Sequence, residues 1–341
     1  MNKRQLISLY WFPTLATLAI WGAALIWGGP QALFTVFVLT LLEITFSADN
    51  AVVNSKVLLN LSPFWQKLFL TVGIIFAVFL VRFALPIFIV MFSAGLGFAE
   101  VLNLALHDAK HYAEHLEHAA PVINAFGGTF LLMIALSYFI DHEKQTHWLG
   151  WLEQRLGKLG RFDNITTLVM LLTAIILYLT VGAQYQATVL FAAITAMALH
   201  GVLDLLDAVF DKSKKTSKVV KTGMAGFAAF MYLQVLDASF SLDGVIGAFA
   251  ITTGVFLIMA GLGAGAVWVR AMTIHLTQAK TLSKYIFLEH GAHWAIGFLG
   301  AIMLLHLYHV ELPEWIVGSL GLGFIAVAIW WSVRHQRSGS L

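Results

Sequence analysis

Long apolar runs separated by short polar stretches set the pattern of this chain. Runs of about 20 residues, the length a helix needs to cross the hydrocarbon core, recur near 6–27, 31–60, 66–92, 122–140, 165–182, 187–209, 222–253, 255–276, 285–307 and 315–333. They predict about ten transmembrane helices and an all-α polytopic membrane protein, since only helices and closed barrels satisfy every backbone polar group in lipid. The first run follows Lys3 and Arg4 as a signal peptide would, but it is too long for a typical h-region and reads as an anchor.

Two segments interrupt the rhythm. Residues 98–120 carry His107, His111, His115 and His118 with Asp108, Glu114 and Glu117, at spacings that stack the histidines on one helical face. Metal capture and an amphipathic surface helix both fit that pattern. Residues 141–164, with Trp148 and Trp151 beside Arg155 and Lys158, read as a cytoplasmic helix lying at the membrane interface.

Composition agrees with the pattern: 60% of residues are hydrophobic and 11% charged, against about 25% charged in a soluble domain. The net charge of +2 says little about partners, and nothing points to nucleic acid. The distribution of charge says more. With the N-terminus inside, Lys67, then Lys144, Arg155, Lys158 and Arg161, then the run from Lys212 to Lys221, then Lys280 and Lys284, then Arg334 and Arg337 all fall on the cytoplasmic side. Both termini are therefore expected to be cytoplasmic. The absence of cysteine excludes disulfides, thiolate metal sites and Cys nucleophiles.

Against this background one short signature occurs twice inside apolar runs: Glu43-Ile-Thr-Phe-Ser-Ala-Asp49-Asn50 and Asp237-Ala-Ser-Phe-Ser-Leu-Asp243-Gly244. Each carboxylate costs roughly 2.5–3.5 kcal/mol at a bilayer centre even on the lenient insertion scale, so four of them need a shared reason. The copies sit on the second and seventh expected spans, five steps apart in a chain that reverses direction at each step, which makes them antiparallel. Echoes follow each copy, Gly73 with Arg82 and Gly261 with Arg270. This is the pattern of an inverted repeat, whose substrate site would lie near the midplane. The expected organisation is a single membrane domain, 1–341, with repeat one at 31–140 (including the outer histidine-rich insert 98–120), the connection 141–164, and repeat two at 222–307.

On an unbroken helix Glu43, Ser47 and Asn50 share one face, Thr45 and Asp49 share another, and Glu43 and Asp49 stand about 120 degrees apart. Either both faces are buried against protein or the helices unwind so that the acids converge. The expectation is discontinuous helices near 46–49 and 240–244, the second eased by Gly244 and Gly247. Thr45, Ser47, Ser239 and Ser241 would support the acids. Such oxygen donors suit Mg²⁺, Ca²⁺ or Mn²⁺ rather than softer metals, and without the metal such a cluster would hold protons that compete for the site. Arg82 and Arg270 either gate by pairing with an acid or snorkel to an interface. His200, Asp204, Asp207 and Asp211 step along one face as an inner vestibule or a wet helix end. Glu289, His290 and His293 either join the site or bond neighbouring helices.

At Glu43, Asp49 and Asn50, and again from Asp237 to Gly244, the chain resembles the TerC-like integral membrane proteins. The runs Leu236–Phe249 and Leu288–His293 resemble a bacterial branch of that family, and the resemblance covers roughly 31–307. It implies metal export, with manganese efflux and tellurite resistance among the family's associations, and it implies that Glu43, Asp49, Asn50, Asp237 and Asp243 are cation ligands. The second copy departs from the first in having Gly244 where Asn50 stands, one donor fewer. Tellurite is an anion that an acidic site repels, so a role in resistance would be indirect.

The expected protein is a secondary transporter of the bacterial inner membrane that exports a divalent cation by alternating access with proton exchange, Mn²⁺ first and Ca²⁺ or Mg²⁺ next. No prosthetic group and no catalytic residue are expected. The partners are the metal ion, protons and the lipid bilayer, with 141–164 and 211–221 open to a soluble stress-protein partner; no feature sets an oligomeric state. The rival readings are an intramembrane metal-dependent enzyme, in which His290 or His293 helps activate a water, and a membrane scaffold of a metal- or tellurite-stress complex.

Overall fold

Each expected apolar run folds as helix. A computed structural model describes residues 3–142, 144, 146–162, 164–210, 220–279, 281–310 and 312–338. In chain order the elements are α1 (Lys3–Phe46), α2 (Ala48–Leu59), α3 (Pro63–Leu70), α4 (Val72–Ile75), a π-helical segment (Phe76–Ala84), α5 (Leu85–Ala94), α6 (Phe98–His107), α7 (Ala109–His118), α8 (Ala120–Ile140), α9 (Gly150–Leu159), α10 (Ile165–Thr180), α11 (Gln186–Phe210), α12 (Gly223–Ile251), α13 (Val255–Gln278), α14 (Thr281–Lys284), α15 (Leu288–His306) and α16 (Glu314–Ser338). The chain is an all-α polytopic membrane protein.

Seven helical stretches among the described residues are long and apolar enough to cross a membrane. The number differs from the ten expected for local reasons. The first expected run and the start of the second form one helix, α1, kinked at Gly29 (φ 71, ψ −166), a backbone state that glycine adopts without strain, just before Pro30. The run at 165–182 yields only the 16 helical residues of α10. The 29-residue helix α12 has some side chains outside the described set and is not among the seven.

The chain divides into two compact units, Met1–Ala120 with Ser213–Ala279, and Pro121–Lys212 with Lys280–Leu341. The first contains both copies of the acidic signature. Its centre is the packing of α13 on α1 and α2, made close by the glycines of Gly261-Leu-Gly-Ala-Gly265. A methyl group at Gly261 would lie 3.1 Å from the Val36 carbonyl, and one at Gly265 would lie 2.9 Å from the Thr40 carbonyl. Small residues four apart let helix backbones approach where no hydrophobic force drives helices together in lipid. The end of α2 is joined to the start of α12, with Lys221 N donating to Asn60 O (2.6 Å) and Ser62 N to Lys221 O (3.1 Å).

In the histidine-rich insert, the expected single-faced stripe is cut at Asp108 (φ −137, ψ 63), which ends α6 and caps α7. The Asp108 carboxylate accepts from His111 N (3.4 Å) and pairs with His111 Nδ1 (2.6 Å). His107 therefore sits on a different helix from His111, His115 and His118. A side-chain oxygen that can satisfy a free N–H stops one helix and starts the next. Inward, Tyr112 and Leu116 are buried, and the Tyr112 ring lies 5.8 Å from that of Phe249.

The second unit is built the same way. Gly128 of α8 and Gly300 of α15 face each other so closely that a methyl group on either would come within 3.0 Å of the other's carbonyl. Gly291 of α15 rests on α16, where a methyl group would meet Ala328 Cβ at 2.6 Å. At the far end of α16, Trp330 and Trp331 are exposed and Arg334 stacks over Trp330 at 5.5 Å, as amphipathic rings do at a lipid–water boundary.

Candidate functional site

The first acidic copy lies where α1 gives way to α2. Ser47 leaves helical geometry (φ −101, ψ 14), yet Ser47 N still donates to Glu43 O (3.0 Å) and Ala51 N to Ser47 O (3.1 Å). The expected break near 46–49 is thus a one-residue bend, and neither carbonyl is released as a ligand. The second copy shows no break: α12 runs unbroken through Asp237, Phe240 and Gly244. Gly244 serves a different purpose there. A methyl group on it would lie 3.8 Å from Glu43 Oε2, so the residue that looked like a missing ligand makes room for the other copy's carboxylate.

Glu43 is 3% exposed and held on several sides. Arg82 Nη2 donates to its Oε1, as does Ser47 Oγ (3.0 Å). Its stem runs so close to Gly265 that a methyl group there would meet Glu43 Cβ at 2.5 Å. Arg82 is 4% exposed and sits in the π-helical segment, where its Nη1 donates to the Ala77 carbonyl five residues back (2.8 Å). Widened helical turns of this kind often mark functional sites.

The second copy repeats the pairing. Arg270 Nη2 donates to Asp237 Oδ2 (2.8 Å) and to Gln234 Oε1 (3.2 Å), and Nη1 to the Phe69 carbonyl (3.3 Å). The guanidinium also lies 4.3 Å from the Phe69 ring centroid. Gly73 makes space for it, since a methyl group there would lie 2.7 Å from Arg270 Nη1. Each arginine therefore pairs with the first acid of its own copy. Both are buried, so neither snorkels.

The remaining predicted residues divide cleanly. Asp49 and Asn50 are buried at the start of α2. Asp49 accepts from Asn50 N (2.9 Å) and, among the described residues, meets backbone N–H groups but no arginine or lysine. Asn50 Oδ1 has no partner among the described residues. Asp243 lies on α12 with its side chain outside the described residues. Thr45 donates to Leu41 O (2.7 Å) and Ser239 to Val235 O (2.9 Å), each satisfied by its own helix; Ser241 is buried. Among the described residues no three His, Asp or Glu side chains converge as a metal cage.

Residues 48–339 match a family model described as "Protein of unknown function (DUF475)". The chain belongs to the DUF475 family. It is also similar to the "Uncharacterized membrane protein YceF" of Bacillus subtilis (strain 168), 26% identical over 119 residues, which is 35% of this chain and 46% of that protein. The chain thus spans about half the length of this relative. No solved structure matches it.

This DUF475 chain carries a further polar cluster in its second unit, centred on a residue no motif marks. Glu153 of α9 is fully buried. It accepts from Trp148 N (3.0 Å), Leu149 N (3.4 Å) and Trp294 Nε1 (3.1 Å), pairs with His290 Nδ1 (2.8 Å), and has Lys144 Nζ at 3.5 Å. Burial pushes its carboxyl up, but the bond and charge of His290, with Trp294 and Lys144, outweigh this and hold it down at about 2. The other His290 nitrogen meets Thr146 Oγ1 (3.1 Å), so both ring nitrogens are engaged. His293 bonds Glu289 O (2.8 Å) and stacks on Tyr138 (3.7 Å). His290 and His293 therefore bond and pack within this unit, and α9 is bolted to α15 by a buried carboxylate. In the same unit His200 pairs with Asp204 (3.1 Å), whose side chain is 66% exposed; Asp207 and Asp211 fall outside the described side chains.

Proposed function

We propose that this chain is a secondary transporter that exports a divalent cation from the cytoplasm, Mn²⁺ foremost, by alternating access in exchange for protons. The observation that carries the reading is the charge arithmetic of the first unit. Glu43 and Asp237 are each neutralised by a buried arginine, whereas Asp49 is buried with backbone N–H groups alone among the described residues. Asp49 is thus the acid of the first copy that no arginine neutralises among the described residues, and its carboxylate is free to meet a cation. Asn50 Oδ1 adds a neutral oxygen, and a set of carboxylate and amide oxygens favours hard cations.

In this reading the arginine pairs hold the site when metal is absent. An arriving cation competes with Arg82 for Glu43 and with Arg270 for Asp237, and the displaced guanidinium groups fall back on carbonyls they already reach, Ala77 for Arg82 and Phe69 for Arg270. The reading is supported as well by the likeness to TerC-like proteins at these residues. It makes the activity transport rather than catalysis, with the cation as cargo.

Protein reconstituted in liposomes is expected to move Mn²⁺ across the bilayer and protons the other way, and Asp49→Asn to abolish the flux. A wild-type protein inert towards Mn²⁺, Mg²⁺ and Ca²⁺ at both pH 6 and pH 8 (roughly one unit either side of neutral) would overturn the proposal.

A further inference from the structure

Asn54 belongs to no motif, yet it is 1% exposed and its Oδ1 has no hydrogen-bond partner among the described residues. A buried amide oxygen without a donor is rare and costs the full desolvation of that group, so its persistence calls for a reason. Asn50, one turn earlier, is in the same condition, 3% exposed with Oδ1 unpartnered. On α2 the two side chains are neighbours, as positions four apart on a helix are.

The pair continues a longer line. Ser47, Asn50 and Asn54 follow Glu43 by four, seven and eleven positions, which at helical periodicity keeps all four within about 60 degrees of one face. The stripe is about 16 Å long at helical rise. Every member is buried and ends in oxygen. The neighbouring α13 presents polar groups too: Thr273 and Thr277 are buried, and Thr277 Oγ1 donates to the Ser55 carbonyl (3.4 Å). The upper end of the stripe is closed, because Glu43 is held by Arg82 and Ser47. The lower end is open, because two amide oxygens there have nothing to accept.

We propose that Asn54, with Asn50, forms a second cation site one helical turn beyond Asp49, an oxygen rung on which a partly hydrated divalent ion rests on its way to or from the acids. The assignment rests on the transport reading for its role, though not for its binding chemistry. Each amide gives one oxygen and water fills the rest of the shell, as hard cations with few protein ligands require.

The test is equilibrium Mn²⁺ binding to purified full-length protein, read as loss of the free-ion resonance in electron paramagnetic spectra, alongside flux in liposomes. Asp49→Asn should remove the tighter component and leave a weaker one, and adding Asn54→Leu should remove that too. Asn54→Asp, which keeps size and adds charge, should tighten the weak component about tenfold, the gain a charged acceptor offers over a neutral one; this gain cannot come from misfolding. Binding unchanged in both Asn54 variants would overturn the second site while leaving transport intact. Retained binding with Asn54-dependent affinity but no wild-type flux would uphold the site and overturn the transport reading. No Mn²⁺ binding by the wild type would overturn both.

Discussion

Glu43 shows how a charge is kept inside an apolar helix. Its oxygens are assigned to Arg82, Ser47 and the space beside Gly244, and its stem to the gap left by Gly265. A buried ion pair contributes little net stability because both desolvation costs offset its attraction, but breaking it leaves a stranded charge worth about 3–5 kcal/mol. Arg82→Gln is therefore expected to destabilise the protein by about that amount, and Glu43→Gln added to it to recover most of the loss. Chemical unfolding in detergent measures both; simple additivity of the two single losses would contradict the pairing. The candidate acids and arginines were legible as residues because charge is so rare in these runs. Pairing of each arginine with an acid was one of two readings, but which acid each takes was not legible, since Glu43 and Arg82 are 39 positions apart and Asp237 and Arg270 are 33 apart, and no local periodicity links such distances. Asn54 and Gln234 escaped for the opposite reason, being neutral residues that no hydropathy pattern flags.

At the scale of elements, apolar run length located the helices well, because lipid leaves the backbone one option. Bends were harder to read. Gly29 kinks α1 where its φ of 71 suits glycine, whereas Gly244, equally permissive, sits in a regular helix because its missing side chain is used for space. The α9–α15 junction illustrates what a lone carboxylate can organise. Glu153 accepts two backbone N–H groups that would otherwise be unpaired, and its carboxyl is held at about 2. Because the folded value lies below the ordinary carboxylate value, the stabilisation is complete above pH of about 4.5 and is lost as pH falls towards about 2. Its size is on the order of 3 kcal/mol. Glu153→Gln is expected to lower the melting temperature at pH 7, with the gap to wild type closing as the buffer approaches pH of about 2. A gap that stayed constant across that range would assign the loss to packing rather than to the ionised carboxylate.

For the whole molecule, seven helices of spanning length among the described residues and the likeness to an uncharacterised membrane protein describe a membrane protein, and the doubled acid–arginine pair lies within its first unit. The two copies carry the same pair on unequal frames: the first on a helix bent at Ser47, the second on a straight one. In the proposed transport cycle the two copies of the signature would exchange these shapes, bend and straightness trading places. Because the chain has no cysteine, labels can be placed at will, and exposed Leu41 on α1 and Leu59 on α2, on either side of the bend, offer sites. Paired spin labels there should give two distance populations whose ratio moves with pH and Mn²⁺, whereas one fixed distance under all conditions would leave the bend at Ser47 a static feature of the helix.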